Sequence, residues 1–131
     1  MRTSKRARQL ATDVENLILV SPHRHNQNVY VQQTDCGTTA CVAGWATIMQ
    51  GWQLEFLVGQ DYAFWARRRP EETPEYIFDI GQKGLGLNYT EATWLFDGKR
   101  PRDEVLSGLA CVREGNAAKM KEIMANSDED K

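Results

Sequence analysis

Trp52-Gln53-Leu54-Glu55-Phe56-Leu57-Val58 places apolar side chains at alternate positions, Trp52, Leu54, Phe56 and Val58, with Gln53 and Glu55 between them. A period of two is the mark of a strand with one buried face. Leu57 breaks the alternation, and the Asp61-Tyr62-Ala63-Phe64-Trp65-Ala66 run that follows would let a helix absorb the whole stretch. If residues 52–58 are extended, they pair with Val29-Tyr30-Val31 in a short two-stranded ribbon. If they are helical, the chain is all-α.

Working outward, the remaining segments read as helices. From Thr3 to Val20 the residues Leu10, Val14, Leu17 and Ile18 fall at i, i+4, i+7 and i+8, with Ala7 and Ala11 on the same side. This is an amphipathic helix, and Ser21-Pro22 ends it because the residue before proline is pushed out of the helical region. His23 to Asp35 has no helical period and is expected to be a loop. Cys36-Gly-Thr-Thr-Ala-Cys-Val-Ala-Gly-Trp45 then opens a second helix, with Asp35 or Thr38 as cap and Gly51 as stop. Ala40, Gly44 and Thr47 make a small-residue stripe on it, beside a large stripe of Cys41, Trp45, Ile48 and Met49. A helix apolar nearly all round is the buried centre of a domain.

Three further helices carry clear punctuation. Thr73-Pro74-Glu75 starts one that runs through Ile77 and Ile80 towards Gly84; Thr90 caps a short one closed by Asp97-Gly98. Pro101 opens the last, with Val105, Leu106, Leu109 and Val112 inward and Gly115 ending or interrupting it. The expected fold is mainly α, a compact bundle of about five helices around a buried central helix, with room for the short β-ribbon. Residues 1–126 form one helical domain, and 127–131 a disordered acidic tail.

A chain of 131 residues buries about two-thirds of its unfolded surface without disulfide staples. Three cysteines, an odd number, and a polar, basic N-terminus without a signal-peptide core point to a reduced cytoplasmic protein. The formal charge of −2 excludes whole-molecule attraction to nucleic acid. Local basic runs remain: Arg2, Lys5, Arg6 and Arg8; Arg67, Arg68 and Arg69; and Lys99, Arg100 and Arg102 around Pro101. The bland reading of each run is a solvated face.

The ten residues from Cys36 resemble a motif of small actinobacterial and mycobacteriophage-type proteins, close to Cys-Gly-Thr-x-Ala-Cys-x-Ala-Gly-Trp-Ala. In that family a segment like Leu-Gly-Leu-(Thr/Ser)-x-x-Glu-Ala-x-x-Leu-Phe follows later, and Leu85-Gly-Leu-Asn-Tyr-Thr-Glu-Ala-Thr-Trp-Leu-Phe96 is similar to it. The loop Gln27–Gln33 and the aromatic block Trp52–Trp65 depart from the pattern. The resemblance implies a phage or prophage accessory protein and carries no catalytic residues with it.

Read for chemistry, Cys36 and Cys41 with His23 and His25 are donors of the right types for tetrahedral zinc, at an unusual spacing. Cys36, placed just before a helix start, would also be an activated thiol for a cysteine-dependent hydrolase, although no histidine follows His25 to serve as the usual downstream base. The favoured reading is structural: buried cysteines act as small hydrophobes, no cofactor is called for, and the chain is not an enzyme.

Two surfaces carry the binding hypotheses. Tyr62, Trp65, Arg67, Arg68 and Arg69 combine aromatic and guanidinium groups as interface hot spots do, and make a host or self protein the expected partner. Such binding would interfere with a host process. The alternative is a helix-turn-helix-like DNA-binding regulator over residues 74–113, with Thr90, Glu91, Lys99, Arg100 and Arg102 as its nucleic-acid contacts. Glu91 and Trp94 on the would-be recognition helix suit phosphate and base contacts poorly.

Overall fold

The computed structural model describes residues 1–129, and among them six α-helices accompany one five-stranded antiparallel sheet. In chain order these are α1 (Lys5–Val20), β1 (Val31–Thr34), β2 (Gly37–Ala40), α2 (Val42–Met49), β3 (Gln53–Phe56) and β4 (Tyr62–Arg67), then β5 (Glu75–Tyr76), α3 (Ile77–Gly84), α4 (Tyr89–Leu95), α5 (Arg102–Glu114) and α6 (Ala117–Glu129). The expected mainly α bundle is thus corrected to a mixed α and β fold.

The largest correction falls within the ten-residue motif. Its first half is a strand rather than the start of a helix: β1 and β2 form a hairpin closed by Asp35-Cys36, with Thr34 opposite Gly37 and Val31 opposite Ala40. Gly37 takes φ +112°, a left-handed conformation that side-chain-bearing residues avoid. Thr38 and Thr39 are β-branched and suit a pleated surface. Cys41 is the cap of α2, and its amide donates to the Val29 carbonyl at 2.9 Å. From Val42 to Thr47 every residue of α2 is buried, so this helix is the interior element that its composition predicts.

The stretch at residues 52–58 is extended from Gln53 to Phe56, but its partner is β4 and not Val29–Val31. β4 is the hub of the sheet: β3 lies along one edge, while β1 pairs at Ala63 and Tyr62 and β5 at Trp65 and Ala66 on the other. Glu55 faces Trp65 and Phe56 faces Ala63, which leaves Phe64 as the extra residue of a bulge. The bulge explains the helical look of this segment. Ala63 and Ala66 both point inward at a spacing of three because one residue between them is unpaired.

The core lies between the inner face of the sheet, carrying Val31, Ala40, Ala63 and Ala66, and the helices. α1 buries Ala7, Leu10, Ala11, Val14 and Ile18 of the predicted stripe, while Leu17 is only partly buried at its margin. Glu75 and Tyr76 form β5 where a helix start was expected, so α3 begins at Ile77. Asn88, not Thr90, caps α4: its side chain accepts from the Glu91 amide at 2.8 Å, and the Glu91 carboxylate accepts from the Asn88 amide at 2.9 Å. Gly115, at φ +67°, ends α5. Of the tail expected at 127–131, residues 127–129 belong to α6 and 130–131 lie outside the described residues. No described helix is long and apolar enough to cross a membrane.

Candidate functional site

The inward turn of Ala63 and Ala66 obliges the other side chains of β4 to face outward, since successive residues of a strand point to opposite faces. Tyr62, Phe64 and Trp65 are 39%, 40% and 45% exposed there. Tyr76, opposite Trp65 on β5, extends the row, with its ring 5.3 Å from that of Trp65. Tyr30 continues it at 5.4 Å from Tyr76 and 6.2 Å from Phe64, both edge to face. The Tyr76 and Tyr30 hydroxyls are hydrogen-bonded at 3.2 Å, and burial above all pushes the Tyr30 phenol well up, keeping it protonated. At one end a cleft of about 400 Å³ opens between these rings and Phe96, with Asn28 on its rim. The β3–β4 turn, which leads into Tyr62, presents Leu57 and Val58 to solvent.

Of the five residues expected at a protein interface, Tyr62 and Trp65 stand in this row. Arg67 does not act as a free cation. It pairs with Glu55 and donates to the carbonyls of Glu72 at 2.8 Å and Pro70 at 3.2 Å, organising the turn before β5. Arg68 and Arg69 reach Glu72 at 3.7 and 4.0 Å and remain exposed. Phe64 lies within the expected segment Tyr62–Arg69, whereas Tyr30 and Tyr76 join the row from outside it. Bulge placement and the β4–β5 pairing put them there, and no local pattern announces either.

The nucleic-acid residues of the alternative do not gather into one cationic face. Glu91 is buried in its capping role and beside the N-terminal amine at 3.4 Å. Arg100 is buried too, with its Nε donating to the Trp94 carbonyl. Arg102 bonds His25 and the Pro22 carbonyl, whereas Thr90 and Lys99 are exposed.

The zinc donors are likewise apart. Among the described residues no three His, Cys, Asp or Glu side chains form a ligand set. Cys36 is exposed in the hairpin turn, away from any helix start, while Cys41 is buried at the start of α2. Burial outweighs the backbone amides there and pushes the Cys41 thiol up to about 11, opposite to what a nucleophile needs. His23 is exposed on the turn Pro22–Arg24.

His25 serves a different purpose. An arginine only donates, so Arg102 Nε, 3.2 Å from Nδ1, fixes the proton on Nε2, which donates to Gln27 Oε1 at 2.7 Å. Gln27 in turn donates to the carbonyls of Leu95 and Asp97 at 2.8 and 3.1 Å, tying the loop before β1 to the end of α4. Burial lowers the His25 pKa, the Arg102 charge lowers it further, and the Gln27 bond opposes them. A pKa depressed below the unfolded value near 6.5 means that the folded state holds the neutral ring. That stabilisation is complete above the unfolded pKa and is lost as pH falls from there through the depressed value. Urea midpoints should therefore drop between pH 7 and pH 5, and a His25→Gln variant should show a flatter profile.

Comparison with family models, with curated proteins and with solved structures returned no match.

Proposed function

We propose that this chain is a non-enzymatic protein-binding module whose contact surface is the aromatic outer face of the sheet. The observation that carries the reading is the row of Tyr62, Phe64 and Trp65, each about two-fifths exposed and continued by Tyr76 and Tyr30. Exposed aromatic residues held on a rigid strand lose little side-chain entropy on binding and bury much area, which is why they anchor interfaces. Charge separates protein from nucleic acid as partner. From residue 53 to 76 five carboxylates stand against three arginines, one of them paired with Glu55, so phosphates would be repelled and a basic rim attracted. Set beside the resemblance to phage accessory proteins, this makes a host protein with an apolar patch and basic rim the partner, and interference with its work the consequence.

Replacing Tyr62 by the photo-cross-linker benzoylphenylalanine in a host culture is expected to give one discrete cross-linked product. Adding Trp65→Ala should abolish it while costing only about 1 kcal/mol of stability, the worth of an exposed ring pair. The same cross-linker at Lys99 should capture nothing. An unresolved smear, or a product indifferent to Trp65→Ala, would count against the proposal.

A further inference from the structure

A second concavity shares no lining residue with the cleft beside the aromatic row and has opposite electrostatics. It is a groove of about 880 Å³ where the first half of α1, from Lys5 to Asp13, meets the C-terminal ends of α2 and α3. Two basic runs far apart in the chain converge on it: Lys5 and Arg6 from α1, and Arg68 from the segment after β4, joined by Lys83 at the end of α3. Lys5 and Arg6 make no ion pair among the described residues. Arg68 and Lys83 hold Glu72 and Glu75 only at 3.7 and 3.8 Å, with side chains 65% and 77% exposed, so these contacts yield readily to a better anion. Asp13, on the lining, accepts from the Gln9 amide at 2.9 Å. Four cations around one concavity concentrate anions there.

The groove also offers a planar surface. Trp52 lines it, and the Arg68 guanidinium stacks over the indole at 5.5 Å from the ring centroid. Gln50 lies alongside; its Nε2 donates to the carbonyls of Ala46 at 3.0 Å and Ile80 at 3.5 Å, while Oε1 accepts nothing among the described residues and can receive an amino group. Cations for phosphate, an indole and guanidinium for a ring, and an amide carbonyl for a ring substituent together describe the parts of a nucleotide. We propose that this groove binds a nucleotide, free or as a unit of a single strand, independently of the sheet face.

The full chain would be titrated with ADP, inorganic phosphate, fluorescein-labelled octathymidylate and polyglutamate at low and moderate salt. Binding of ADP more tightly than phosphate assigns a free nucleotide; salt-dependent binding of octathymidylate assigns a strand, and either supports the site. Lys5→Glu with Lys83→Glu, both exposed, should weaken binding at least tenfold with an unchanged circular dichroism spectrum, and Trp65→Ala should leave it intact. Absence of binding to both ligands at low salt would overturn the proposal. So would polyglutamate binding as tight as that of octathymidylate, or affinity that survives the charge reversal.

Discussion

Gly44→Ala is expected to destabilise the protein by at least about 3 kcal/mol, at the upper end of what overpacking costs, and to leave much of it insoluble. A methyl group at this position would lie 1.8 Å from the Tyr30 carbonyl oxygen and 2.8 Å from the Ala40 side chain. Neither neighbour is a flexible tip that swings aside: one is backbone and the other is the inward residue of β2. Gly44 is thus the point where the buried helix α2 touches the chain entering β1. Tyr30 also carries a ring of the outer row, so a push on its backbone would disturb the contacts with Phe64 and Tyr76. Urea unfolding measures the effect. A variant within about 0.5 kcal/mol of the parent, the range of ordinary surface changes, would show that the loop before β1 moves freely.

The second large effect is expected at Arg100. Its guanidinium lies over the Trp94 ring at 4.2 Å, donates to the Trp94 carbonyl at 3.0 Å, and reaches Glu104 at 3.1 Å and Ser127 at 2.8 Å. One side chain therefore joins the end of α4 to α5 and α6. Arg100→Met keeps the aliphatic bulk but removes the guanidinium that serves the Trp94 carbonyl and the partly buried Glu104 carboxylate together, which costs about 2–4 kcal/mol. For a chain of this length that is a fall in Tm of roughly 10 °C. Glu104→Gln added to Arg100→Met should recover part of the loss, because the carboxylate that faced the guanidinium is neutralised. Arg100→Lys should rescue little, since an ammonium lacks the fork that serves several acceptors at once. A melting temperature unchanged in Arg100→Met would mean that the contact adds nothing net.

Arg100 also shows how a correct residue can be read for the wrong task. In the sequence it belongs to a basic cluster around Pro101 and suggests phosphate contact, yet its neighbour in space is Glu104, one turn along α5. Lys99, beside it in the chain, is exposed. Local sequence marks the charge and not the direction in which it points. The ten-residue motif shows the same limit for structure: its glycine and alanine spacing suits a continuous helix, but Gly37 needs a left-handed turn and Thr38-Thr39 pair with Gln33 and Gln32. The pairing that decides between the two lies outside the motif.

The amino-acid sequence by itself left open whether residues 52–58 are strand or helix and whether Gly115 ends α5 or interrupts it, but it determined α1 and most of its buried stripe, the interior character of α2 and the opening of α5 at Pro101. These depend on periodicity and caps, which act within a turn or two of chain. Only the tertiary structure decided that β4 is the hub of a sheet, that a bulge at Phe64 sets three aromatic rings outward, and that Lys5, Arg68 and Lys83 share one groove. Each of those joins residues distant in the chain, and strand pairing is chosen by the whole core rather than by the pairing segments, so no local pattern carries it.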